Sequence, residues 1–116
     1  MNVLFHIDQL AHWHMTVTNV KNMMEFGKDQ NIQFTIEIVA NGEAVKYLTV
    51  DNPGQEQLAE QFKIICGNGV QIAACNNALK ANDIKPSSLL PFITIVPAGV
   101  VEIAMKQEAG YSYIKP

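Results

Sequence analysis

The sequence predicts an α/β domain, a three-layer α/β/α sandwich around a mainly parallel sheet of about five strands. Three observations carry this. Short apolar runs alternate with amphipathic segments of helical period along the whole chain. Two of the runs, Val70–Ala74 and Phe92–Val96, read as strands apolar enough to be covered on both faces. The 116 residues, 48% hydrophobic, suffice for one core without disulfide or metal staples and are too few for a TIM barrel or a two-domain enzyme. One domain over residues 1–116 is expected.

The elements follow in order. Val3–Asp8 is a short apolar run with a polar end, the first strand. Trp13, Val17, Val20 and Met24 recur at helical spacing, with His14, Thr18, Lys21, Glu25 and Lys28 opposite them, so a helix follows. In Gln33–Val39, Phe34, Ile36 and Ile38 alternate with Thr35 and Glu37; the more polar face suits a strand at a sheet edge. Ala44, Val45 and Leu48 indicate a short helix, and Asp51-Asn52-Pro53-Gly54 a turn. Leu58, Phe62, Ile65 and Cys66 mark a second long helix, stopped by Gly67-Asn68-Gly69. Val70–Ala74 is the third strand, and Asn76–Ala81 begins a short helix. Pro86–Pro91 is a loop with two buried leucines. Phe92–Val96, a helix bearing Val100, Val101, Ile103, Ala104 and Met105, and Tyr111–Ile114 complete the alternation.

Composition excludes several functions. Eleven acids face eight bases, and every base is lysine. Arginine supplies the planar fork that reads guanine and phosphate, so nucleic-acid binding is not expected. No polybasic cluster or apolar run of about 20 residues points to a membrane. The start lacks an export signal, and two cysteines allow one bridge at most; reduced thiols and a cytoplasmic location are expected. No P-loop, GxGxxG or GxSxG is present, so no cofactor is indicated. His6, His12 and His14 lack metal-ligand spacing, and no metal is expected.

Ligands of parallel sheets bind beyond the carboxyl ends of the strands. Those ends carry His6 and Asp8, Asn41 and Gly42, Cys75 with Asn76 and Asn77, and Pro97, Ala98 and Gly99. Cys75 is the leading candidate. A cysteine between a strand and a helix sits where free N–H groups favour a thiolate. The competing reading is a small buried hydrophobe. Cys66 lies on an apolar helix stripe and reads as core. Eight residues separate the cysteines, so there is no CxxC redox pair.

Ala74-Cys75-Asn76-Asn77-Ala78-Leu79-Lys80 resembles the cysteine motif of the DsrE/DsrF-like family. Val96-Pro97-Ala98-Gly99-Val100-Val101-Glu102-Ile103 and the ending Gln107–Pro116 are similar to it too, as are Leu4–Asp8 and Val39–Gly42. The resemblance implies a parallel α/β/α fold, assembly into trimers or hexamers, and a sulfur carrier. Its Cys75 would take sulfur from a donor protein as a persulfide and pass it to an acceptor, without classical multiple turnover. The alternative is an oligomeric module of the same fold that binds a small molecule or anion without chemistry. A third reading gives part of the Trp13, Met15, Met23, Met24 and Phe26 surface to a subunit interface.

Overall fold

The computed structural model describes residues 1–52 and 56–116. It contains a five-stranded parallel sheet in the order β4-β3-β2-β1-β5, formed by β1 (Asn2–Ile7), β2 (Thr35–Ala40), β3 (Gln71–Cys75), β4 (Thr94–Val96) and β5 (Ser112–Ile114). The helices are α1 (Trp13–Gln30), α2 (Glu56–Gly67), α3 (Asn76–Ala81) and α4 (Gly99–Glu108). Ala44, Val45 and Leu48 lie on a 3₁₀ helix, Gly42–Leu48. Asn31, in the left-handed conformation, ends α1 by donating its N–H to the Gly27 carbonyl. Of the expected turn at 51–54, Pro53 and Gly54 lie outside the described residues.

Side chains alternate across the sheet, which divides the interior in two. Phe5, Ile7, Ile36, Ile38, Ile72 and Ala74 point to the main core with Trp13, Val17, Val20, Leu58, Phe62, Ile65 and Leu79. Trp13 is its anchor. Its indole N–H donates to the Ala44 carbonyl at 2.9 Å, and its ring meets Phe62 edge-on at 4.7 Å. Burial of the whole indole is affordable because that one donor is satisfied. Most of the α1 hydrophobic set is therefore core; Met15 and Phe26 remain exposed. Leu4, Val39 and Ala73 face the opposite way, where Ile103 of α4 covers them.

Two strand expectations are corrected. β2 is the central strand, not an edge. Its polar residue Glu37 is not in solvent but 2% exposed. Conversely, Phe92–Val96 is not a buried strand: only Thr94–Val96 pairs, at the sheet edge, with Thr94 and Ile95 exposed. Apolar composition there reflects an uncovered edge, not a covered centre. Within the Val70–Ala74 strand, Gln71 is exposed and donates to the Thr94 hydroxyl at 3.2 Å. Of the two loop leucines, Leu89 is buried and Leu90 half-buried.

Neither Glu37 carboxyl oxygen has a hydrogen-bond partner of good geometry among the described residues. Loss of hydration pushes its pKa up to about 8, and the neighbouring carboxyl of Glu102 on α4 adds to this, while Lys106 opposes. The folded state therefore holds a proton that the unfolded chain releases near the ordinary carboxylate range. Stability contributed by the protonated form is complete below that range and is lost as pH rises toward 8, at up to about 1.4 kcal/mol per pH unit. Urea unfolding should show a midpoint that falls between pH 5 and pH 8. Glu37→Gln, which cannot ionise, should flatten that fall.

Candidate functional site

Right-handed crossovers place α3 and α4 on opposite faces of the sheet. The chain runs β1, β2, β3, β4 in one direction across the sheet, then returns through α4 to β5 at the far edge. β3 thus feeds α3 on the main-core face, and its neighbour β4 feeds α4 on the other. A crevice opens beyond the carboxyl ends of such a strand pair. Cys75 is opposite Val96 in the register, so it stands at that point.

A cleft of about 320 Å³ lies there. It is lined by Asn41 and Gly42, by Cys75, Asn77, Ala78, Ala81 and Asn82, and by Ala98, Gly99 and Val100. Cys75 is the N-cap of α3, in extended conformation, and is 6% exposed. With only six residues, α3 offers a short row of first-turn N–H groups rather than a long dipole.

Two glycines permit this approach. A Cβ on Gly99 would lie 3.2 Å from the Asn41 Cβ and 3.3 Å from the Cys75 Cβ. Such contacts are tighter than packed carbons prefer, so a side chain here would push on both residues. Gly42 has φ +55°, a left-handed conformation that favours glycine, and a Cβ there would meet the Asp8 carbonyl oxygen at 3.2 Å.

The remaining expected residues divide. His6 lies outside the cleft lining but is joined to it, its Nε2 3.0 Å from Asn41 Oδ1. Its Nδ1 is 2.6 Å from the Tyr113 hydroxyl. Both ring nitrogens are thus engaged with partners other than Cys75. Asp8 accepts from Lys115 at 2.9 Å, and that contact holds its carboxyl below the usual range. Asp8, Asn76 and Pro97 do not line the cleft. His12 and His14 stay near Trp13, on and just before α1.

Sequence reasoning missed Tyr113, Lys115 and Asn82. Asn82 donates through Nδ2 to the Gly42 carbonyl at 3.2 Å and to the Ala78 carbonyl at 2.8 Å, tying the end of α3 to the cleft floor. Tyr113 comes from β5, which pairs with β1 across the sheet. No spacing in the chain signals that pairing.

Cys66 is a different thiol. It is half-buried, and desolvation pushes its pKa up to about 11 against a weaker opposing backbone hydrogen bond from Ile72. At neutral pH it is a protonated core side chain. Both cysteines are free. Among the described residues, no group of three His, Cys, Asp or Glu is placed to hold a metal, and no helix is long and apolar enough to cross a membrane.

Comparison with known proteins agrees with this architecture. The structure is similar to that of MTH1491 from Methanobacterium thermoautotrophicum, a protein of unknown function, with a TM-score of 0.87 and 30% identity, covering 99% of this chain and 98% of that one. BT1422 from Bacteroides thetaiotaomicron, a conserved protein of unknown function, shares the fold at a TM-score of 0.73 and 15% identity, covering 99% and 94% of the two chains. No curated protein matches the sequence. Residues 5–116 match the DsrE/DsrF-like family, and the chain belongs to it.

Proposed function

We propose that this protein is a sulfur carrier in which Cys75 bears a persulfide. The observation that carries the reading is the position of Cys75: a free thiol at the head of a strand-to-helix junction, lining the cleft between the ends of β3 and β4. Membership of a family generally engaged in sulfur relay supports it. The Cys75 thiolate attacks the terminal sulfur of a donor persulfide. A new S–S bond forms at Cys75, the donor S–S bond breaks, and the donor leaves as a thiolate. An acceptor thiolate then attacks the outer sulfur, takes it, and releases Cys75 as the leaving thiolate. Cys66 does not line the cleft and is held protonated by its burial, so it does not resolve the persulfide, and donor and acceptor are separate proteins. Free cysteines suit a reducing cytoplasm.

The backbone supplies the anion's surroundings. First-turn N–H groups of α3, the Asn77 side chain and the small Ala98 and Gly99 leave room and donors for an added sulfur. The burial of Cys75 limits access to small or extended donors and protects the persulfide from water and stray thiols.

Assembly of several copies is part of the same reading. Among the described residues α4 is the one helix over its face of the sheet, and it turns Val100 (67% exposed), Val101 and Met105 (64%) outward. An apolar row along one exposed helix face suits a symmetric contact with further copies.

Three outcomes are expected. In intact-mass measurements with a sulfane-sulfur donor, the wild type gains one sulfur, removed by reductant. Cys66→Ser behaves the same and Cys75→Ser gains none while remaining folded. Loading that persists in Cys75→Ser contradicts the assignment; no loading in the wild type favours the binding module. Gly99→Ala, by crowding Asn41 and Cys75, should slow loading several-fold without unfolding the chain. In sedimentation, the wild type should run as a trimer or hexamer, and the double variant Val101→Lys, Met105→Lys as a monomer.

A further inference from the structure

We propose that Tyr113 and His6 are positioning residues that act on the anionic sulfur at Cys75 through Asn41. The inference rests on the carrier reading for the identity of the anion, and on a hydrogen-bond chain for its geometry. That chain crosses three strands. Tyr113 lies on β5, His6 on β1, and Asn41 directly follows β2. His6 Nδ1 is 2.6 Å from the Tyr113 oxygen and Nε2 is 3.0 Å from Asn41 Oδ1.

The polarity of the chain follows from its ends. Asn41 Oδ1 only accepts, so His6 Nε2 carries the hydrogen. In the neutral ring Nδ1 then only accepts, and the Tyr113 hydroxyl donates to it. The order is Tyr113 O–H to His6 Nδ1, then His6 Nε2–H to Asn41 Oδ1. The Tyr113 hydroxyl holds the ring by donating to Nδ1, and the Nε2–H holds the oxygen end of the Asn41 amide away from the cleft.

The other end faces Cys75. A carbon placed at the Gly99 Cβ position would lie 3.5 Å from Asn41 Nδ2 and 3.3 Å from Cys75 Cβ, so the amide nitrogen and the cysteine border one space. Asn41 and Cys75 both line the cleft. With Nδ2 turned there, its N–H groups face the space into which a thiolate or the outer sulfur of a persulfide would extend. With the amide reversed, its oxygen lone pairs would stand there and repel either anion. An asparagine amide has little intrinsic preference between these orientations; the donor on His6 supplies it. Lone amides could reach the sulfur from Asn77 as well, but Asn77 is exposed and has no such anchor among the described residues.

The test is a double-mutant cycle on the rate at which Cys75 is alkylated by a small neutral haloacetamide, measured in a Cys66→Ser background with folding checked by circular dichroism. Asn41→Ala and His6→Phe should each slow the reaction roughly tenfold, the scale of one hydrogen bond to a charged group. The two together should be no slower than Asn41→Ala alone, because His6 works only through Asn41. Tyr113→Phe should slow it less. His6→Gln, whose amide N–H replaces Nε2–H, should keep most of the wild-type rate. Asn41→Asp, which preserves the side-chain shape and removes the donor, should be slow even if Asn41→Ala folds poorly. Multiplicative effects of His6→Phe and Asn41→Ala, or wild-type rates in both Asn41 variants, would overturn the proposal. Because alkylation needs no sulfur donor, a coupled cycle in a protein that takes up no sulfur would reject the carrier reading and retain the positioning. Sulfur uptake with an uncoupled cycle would do the reverse.

Discussion

The handedness of strand crossovers is the constraint on which the rest of the structure depends. Because β1 through β4 step in one direction, their connections lie on one face of the sheet; the return to β5 must place α4 on the other. That single reversal has two results. It separates the starts of α3 and α4, opening the cleft in which Cys75 stands. It also leaves one helix to cover a whole face, with outward apolar side chains and a sheet edge still open. The cleft around Cys75 and the exposed apolar side chains of α4 thus come from the same topological step.

The thinly covered face is also the polar one. Leu4, Val39 and Ala73 are its apolar floor, but Glu37 is buried among them beneath α4, close to Glu102. Replacing such a group with an apolar one of similar volume often costs little, whereas leaving it charged and unpaired is expensive. Protonation resolves the conflict here. The same helix begins at Gly99, against Asn41 and Cys75, so the docking of α4 onto Glu37 and the shape of the cleft are set together.

Much of this was legible in the chain. The periodicities of α1 and α2, the glycine and asparagine stops, and the small and polar residues at strand ends are local signals, and the structure brings Asn41, Gly42, Cys75, Asn77, Ala98 and Gly99 to one cleft. The failures have physical causes. Glu37 made β2 look like an edge because a carboxylate ordinarily seeks water; its burial depends on a helix more than sixty residues later. The apolar run at Phe92–Val96 looked central because apolar composition alone does not separate a covered strand from an exposed edge. Tyr113 was invisible as a site residue because its partner, His6, is 107 positions away and the two meet only through β1–β5 pairing. Periodicity reports which face a residue occupies, not which strand will lie beside it.

The central claim is that sulfur is carried on Cys75 and nowhere else in the chain. It is tested most directly by loading the unmodified protein with a sulfane-sulfur donor, alkylating it, and mapping the added sulfur by peptide mass spectrometry. The account predicts an alkylated persulfide confined to the peptide containing Cys75, with the Cys66 peptide unchanged. Sulfur found on Cys66, or a Cys75 peptide that is alkylated as a simple thiol after every donor, would contradict it.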